Sequence, residues 1–272
     1  MTVGVLETIR NRRSIRTFEE TGLQPGDAQK ILDFARRIEN PYDIPISWKL
    51  LDADRYGLSS PVIVGTSIYI AGKMRRLPHA EEAFGYSFEK VVLFAEELGI
   101  GTTWIAGTMN RSAFERVMEI SDGEVMPCVS PLGYPAKRMS LRESMMCKGV
   151  KADSRLEFGD VFFDGVPGRP LTAEAAGKLA GAFEAVRLAP SAVNKQPWRV
   201  ILLGNKVHFY EKRSRGYDDG KWDIQKIDMG IALCHFELAS AEIGFRPVFV
   251  VSDPEIPGTE ELCYIASFTL PS

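Results

Sequence analysis

The residues best placed to do chemistry lie in APSAVNKQPW, Ala189 to Trp198. Pro190 and Pro197 stop a helix and stiffen the chain, while Ser191, Asn194 and Gln196 supply a hydroxyl and two amides between them. A corner of this kind presents short polar side chains and backbone N–H groups to a ligand; the same residues also make a plain helix stop. A second group, Arg12, Arg13 and Arg16, clusters near the start within RRSIR. Metal chemistry has no support: His79, His208 and His235 are scattered, and Cys128, Cys147, Cys234 and Cys263 form no CxxC pair. No phosphate loop, GxGxxG or GxSxG is present.

The elements that must hold these groups follow from apolar spacing. Before the corner, Leu179, Phe183 and Val186 share one helical face, with Thr172 as the expected cap; after it, the chain reads as strands at Arg199–Leu203 and Val207–Glu211. Upstream, Val5, Leu6 and Ile9 mark a first helix, and Ile31, Phe34 and Ile38 a second that runs to about Asn40. Strands are expected at Trp48–Leu51, Val62–Ile70 and Val125–Gly133, a long helix closes at Gly99, and GTTWIAGT (Gly101–Thr108) reads as a strand breaking into a loop. Asn110 is placed to cap a short helix. Met139–Gly165 is charged and aperiodic, the expected connector. A polar loop, Lys212–Trp222, leads to a helix closed by Gly244, and strands at Pro247–Val251 and Leu262–Phe268 finish the chain.

The 272 residues are 45% hydrophobic and 25% charged, ordinary for a globular protein with ample core. A net charge of -3 leaves no broad nucleic-acid footprint, and no apolar run approaches a membrane span. A reduced, cytoplasmic protein is expected.

The pattern repeats. Phe84–Gly99 lies over Met229–Gly244 without a gap, matching Gly85 with Gly230, Leu93 with Leu238, Glu97 with Glu242 and Gly99 with Gly244. Trp48 lies over Trp198. The chain therefore reads as two fused copies of one α+β unit, residues 1–155 and 156–272, with helices packed on antiparallel or mixed sheets. Their losses are complementary. The first corner, NPYDIPISW, has Ile44 and Ile46 where the second has Asn194 and Gln196; the second copy lacks RRSIR and has FVVS in place of WIAG. Two half-equipped copies make sense if they share one site.

RRSIR, APSAVNKQPW, LGIGTTWIAG and PLGYP together resemble the nitroreductase superfamily of FMN-dependent oxidoreductases, and the fused layout resembles those members that hold both copies in one chain. The resemblance implies a nitroreductase-like fold forming an internal pseudo-dimer, hence a monomer. It implies one FMN, with Arg12, Arg13, Ser14 and Arg16 on the phosphate and pyrimidine edge, where guanidinium forks and a hydroxyl suit a dianion. Ser191 and Asn194 would reach the flavin from the other half, Gln196 would support the corner, and the backbone at Ile105, Ala106 and Gly107 would lie against the ring. Of the family's basic pair after the last strand, Arg155 is kept and Asp153 stands for lysine; Lys137, Arg138 or Lys151 are the substitutes at hand. Trp104 and Trp198 read as core.

The implied activity is hydride transfer from NADH or NADPH through FMN to a small-molecule acceptor such as a nitroaromatic or quinone, with no separate catalytic residue. The rivals are a catalytically weak protein that binds FMN or another anionic ligand, related chemistry such as dehalogenation or flavin fragmentation, and a scaffold without ligand.

Overall fold

A computed structural model describes residues 4–149, 154–217, 220 and 222–271. Asp153 and Lys151 of the expected connector, and Asp218, Asp219 and Lys221 of the polar loop, lie outside the described residues. The chain divides into two compact units: a continuous one, Asn11–Ala152, and a discontinuous one, Met1–Arg10 with Asp153–Ser272. Helix α1 (Val5–Asn11) starts in the discontinuous unit, where Leu6 N–H donates to the Glu242 carboxylate at 3.0 Å.

In the continuous unit, α2 (Asp27–Ala35) precedes β1 (Ser47–Asp52), the single turn α3 (Ala53–Tyr56), β2 (Ile68–Arg75) and the long α4 (Ala80–Glu97). Helix α5 (Arg111–Val117), β3 (Glu124–Val125), β4 (Val129–Pro131) and α6 (Leu141–Gly149) follow. Strand β2 pairs antiparallel with β1, β3 and β4. Its Gly72 leaves room for α4 to close on the sheet: a Cβ there would press on the Trp48 ring and on Phe84. Trp48 is buried against Phe84 and Phe88, as a core residue should be.

The discontinuous unit continues with α7 (Phe158–Val161), β5 (Phe162–Asp164), α8 (Ala173–Ala176), α9 (Ala180–Arg187), β6 (Trp198–Leu203), β7 (Lys206–Glu211), α10 (Ile224–Glu242), β8 (Val248–Val250) and β9 (Cys263–Thr269). Its sheet runs β5-β6-β7-β9-β8, with β5 parallel to β6 and the other pairs antiparallel. Phe183 of α9 and Phe236 of α10 meet at 5.8 Å between ring centroids, and Phe236 continues onto Phe209 and Phe268 of the sheet. Trp198 is fully buried. The fold of the described residues is α+β.

Five expectations shift. The strand expected at Val62–Ile70 starts at Ile68, because Gly65 turns the chain at φ 91° and Val64 bridges to Thr17 instead. The strand expected at Val125–Gly133 splits in two around Pro127, which has no N–H to donate. Gly101–Thr108 makes isolated bridges rather than a strand. The supposed connector contains α6, α7 and β5, and Phe162 packs in the core against Phe183 at 5.0 Å. The helix before the corner is also interrupted at Gly177, φ 55°, although Thr172 caps its start as expected by accepting from Ala175 N–H.

The aligned helices end alike. Gly99 and Gly244 take φ 70° and 87°, and the next residue closes back on the helix in the same way: Ile100 N–H to Ala95 O and Phe245 N–H to Ser240 O, both 2.9 Å. This is the Schellman closure that a C-terminal glycine permits.

Candidate functional site

In the discontinuous unit the chain leaves α9 at Arg187 and turns through Ala192–Asn194 into β6. Val193, Asn194 and Gln196 have φ of 50°, 57° and 52°. Left-handed backbone is costly for residues with a Cβ, most of all for β-branched valine, so three such residues at one corner need support. That support is visible. Ser191 Oγ accepts from Gln196 N–H at 2.9 Å, and the buried Gln196 amide oxygen accepts from Leu156 N–H at 2.9 Å. Asn194 Nδ2 donates to Ser154 O at 3.0 Å, and its Oδ1 accepts from Arg155 at 3.4 Å. The structure thus brings Arg155, Ser191, Asn194 and Gln196 together.

Beneath the corner sits a residue that the sequence reading missed. Asp228, in α10, is 3% exposed, and its two carboxyl oxygens accept from Ala192 N–H at 3.1 and 3.0 Å. Burial raises its pKa well above the carboxylate range; the Ala192 N–H works against that rise, while the charges of Asp223 and Glu211 add to it. A signal was present: an acid inside the apolar run Ile227–Cys234 is out of place unless it serves a polar partner.

In the continuous unit, RRSIR is laid down as extended chain. Ser14 bridges to Thr102 in parallel, Ile15 N–H donates to Thr102 O at 2.8 Å, and Arg16 N–H donates to the buried Glu143 carboxylate at 2.9 Å. This pairing sets the basic segment beside Gly101–Gly107, two stretches far apart in sequence. Arg13 is exposed and Arg16 half-buried. Arg12 is 6% exposed; burial lowers its pKa, the charges of Glu89 and Glu96 on α4 oppose that, and Arg13 adds to it. Its Nε has no hydrogen-bond partner among the described residues. Lys137 and Arg138 are exposed.

The WIAG loop is fixed from outside. Ile105 exchanges both backbone hydrogen bonds with Val129, at 2.9 and 3.0 Å. Arg111, another residue missed, donates to Ala106 O, Met126 O and Pro127 O at 2.6, 2.6 and 2.9 Å. Its place just after the Asn110 cap gave no hint of this. A Cβ built on Gly107 would meet no protein atom, so the backbone there stays open to approach. Trp104 donates from Nε1 to Glu89 at 3.1 Å and packs on Phe88.

Together these are two prepared surfaces, each hydrogen-bonded within its own unit: a basic edge with an open glycine loop, and a strained corner carrying an amide. Among the described residues no cluster of His, Cys, Asp and Glu could hold a metal, and no helix is long and apolar enough to cross a membrane.

The profile of the family described as "Putative TM nitroreductase" matches residues 4–240. A "putative nitroreductase" structure from Thermotoga maritima shares the fold over 99% of this chain and 94% of its own, at 21% identity and TM-score 0.65. Looser likenesses include an "FMN-dependent Nitroreductase" from Clostridium difficile (15% identity, 52% of this chain and 94% of that one, TM-score 0.42). An iodotyrosine deiodinase bound to FMN and 3-iodo-L-tyrosine is similar at 12% identity over 50% of this chain and 92% of its own, TM-score 0.41. No curated protein matches.

Proposed function

This chain belongs to the TM1586-type nitroreductase family, and on that premise we propose that it is an FMN-dependent NAD(P)H oxidoreductase acting on a nitroaromatic, a quinone or a similar small acceptor. The observation that carries the reading is the corner at Val193–Gln196: left-handed backbone at three residues, held by Asp228 from below and joined by Arg155. Strain kept at one place by dedicated partners marks a site whose shape matters more than local stability.

The residues present suit FMN. Arg13, Ser14 and Arg16, with Arg12 from its buried position, offer charge and a hydroxyl to a phosphate dianion. Ser191 and Asn194 offer short polar groups to a ring edge, and Gln196 keeps the corner in shape through Leu156 N–H. The open surface at Gly107 admits a flat ring against the backbone of Ile105–Gly107. FMN, when bound, supplies the hydride and electron transfer; these residues bind and orient it.

In this reading the chain is a fused pseudo-dimer, residues 1–155 and 156–272, that works as a monomer. The complementary losses of the two copies support it, and so do the matching closures at Gly99 and Gly244. The test is the absorbance spectrum of the purified chain before and after excess FMN and desalting. Retained flavin bands, lost in Arg13→Ala and in Asn194→Ala, are expected. NADH or NADPH should bleach the colour, and an acceptor should restore it. A colourless protein sinks the oxidoreductase reading; colour without bleaching leaves a binding protein. A tight dimer by light scattering counts against the fused site.

A further inference from the structure

We infer that the first turn of α10 carries a second ligand site, a pocket that binds the carboxylate or phosphate group of a small molecule through Arg213, Arg215 and the side-chain amide of Gln225. The cavity is about 280 Å³ and is lined by Arg213, Ser214, Arg215, Gly216, Asp223 and Gln225. That is just under the range that holds drug-sized ligands, so the occupant is small.

Gln225 gives the pocket its direction. It is 1% exposed, and its Oε1 accepts from Ser214 N–H at 2.6 Å. That bond decides which way the amide points and leaves Nε2 as a donor with no acceptor among the described residues. A buried donor without a partner is costly, and here it lines a cavity flanked by two guanidinium groups. The remaining lining sets one acid against the two arginines. Asp223 is spent as the helix cap, accepting from Gln225 N–H at 2.9 Å. The N-terminus of this 19-residue helix favours negative charge. Arginine forks match the oxygens of a carboxylate or phosphate. Arg213 also keeps company with Glu211, Nε to Oε2 at 3.5 Å, which leaves the exposed Arg215 as the freer partner for an incoming anion.

The pocket adjoins the corner within the same unit. Lys212 N–H donates to Pro197 O at 2.8 Å, and the Lys195 ammonium lies over the Tyr217 ring at 5.8 Å. None of its lining residues is assigned to FMN, so the two readings stand or fall separately.

The test is calorimetric titration of the purified full chain with inorganic phosphate and, separately, with acetate, ionic strength being held with sodium chloride. Saturable binding of at least one anion is expected, weakened tenfold or more in Arg215→Ala. Arg215 is exposed, so this variant should fold as the parent does. Gln225→Glu keeps the acceptor for Ser214 N–H, removes the donor and should weaken binding likewise. No heat beyond that of chloride, or Arg215→Ala binding as tightly as the parent, overturns the proposal. Flavin colour is read on the same samples and should not change in Arg215→Ala, so failure of one reading is not mistaken for failure of the other.

Discussion

Replacing Asp228 asks how the strained corner is held. The carboxyl takes the Ala192 N–H with both oxygens, and no other acceptor for that N–H is seen. Removing the acceptor in Asp228→Ala should cost at most about 1–3 kcal/mol, the penalty of a buried donor left unmade, since Ala192 is only half-buried. Left-handed backbone costs roughly 1–2 kcal/mol per residue, so the strain at Val193, Asn194 and Gln196 sums to about 3–6 kcal/mol. That exceeds the worth of the one bond, so the corner should relax in Asp228→Ala, returning part of the strain and capping the global loss. Asp228→Asn keeps one acceptor and should lose less than about 1 kcal/mol. The asparagine variant also removes a titration. Because the folded pKa of Asp228 is raised, its contribution to stability is full below the ordinary carboxylate pKa and is lost as pH rises through the folded value. The variant should therefore flatten part of that decline. Urea unfolding followed by tryptophan fluorescence measures all three proteins, and hydrogen exchange at Ala192 reports the corner itself. Asp228→Ala within about 0.5 kcal/mol of the parent, with Ala192 still protected, would refute the reasoning.

Glu211 offers a sharper pH test. Burial, aided by the Asp223 charge and opposed by Arg213, pushes its pKa from 4.5 to about 7. Stability is full below pH 4.5 and falls by about 3 kcal/mol in total as pH rises through 7. Glu211→Gln should remove that slope and be the more stable protein at pH 8; an unchanged slope in urea titrations across pH 4–8 contradicts the assignment. Val193→Gly should stabilise by about 0.5–1 kcal/mol, since relief of left-handed strain at this exposed valine exceeds the added unfolded-state entropy. A lowered urea midpoint would show that the strain is not there. Gly107→Leu should leave stability within about 0.5 kcal/mol, because a Cβ there meets no protein atom within 4 Å. It should cut FMN retention after desalting at least tenfold, and full retention would remove the loop from the ring's face.

Local patterning settled much on its own. The spacing of Leu179, Phe183 and Val186 fixed the buried face of α9, because an apolar stripe of helical period has one way to be covered. Gly99 and Gly244 announced two helix ends, and Thr172 and Asn110 announced two starts, since caps are local chemistry. The family, too, was legible, because RRSIR and APSAVNKQPW are continuous in sequence. Other features needed the folded chain. The apolar residues Val62–Val64 look like a strand, yet Ile63 N–H turns back onto Ser60 O, and Val64 is drawn to Arg16–Phe18 by backbone pairing that no window can see. The connector looked polar because its anchors, Glu143 and Phe162, find partners far away in sequence. Arg12 reads like its neighbour Arg13, but only the position of Glu89 and Glu96 on α4 sends one inward while the other stays in water. Left-handed φ at Val193, Asn194 and Gln196 runs against residue preference, and it persists because Asp228, 36 residues on, holds Ala192. Sequence spoke for period, caps and contiguous motifs, whose physics is local. Tertiary structure decided where charges were buried and where strain was held, because both depend on partners that only folding brings within reach.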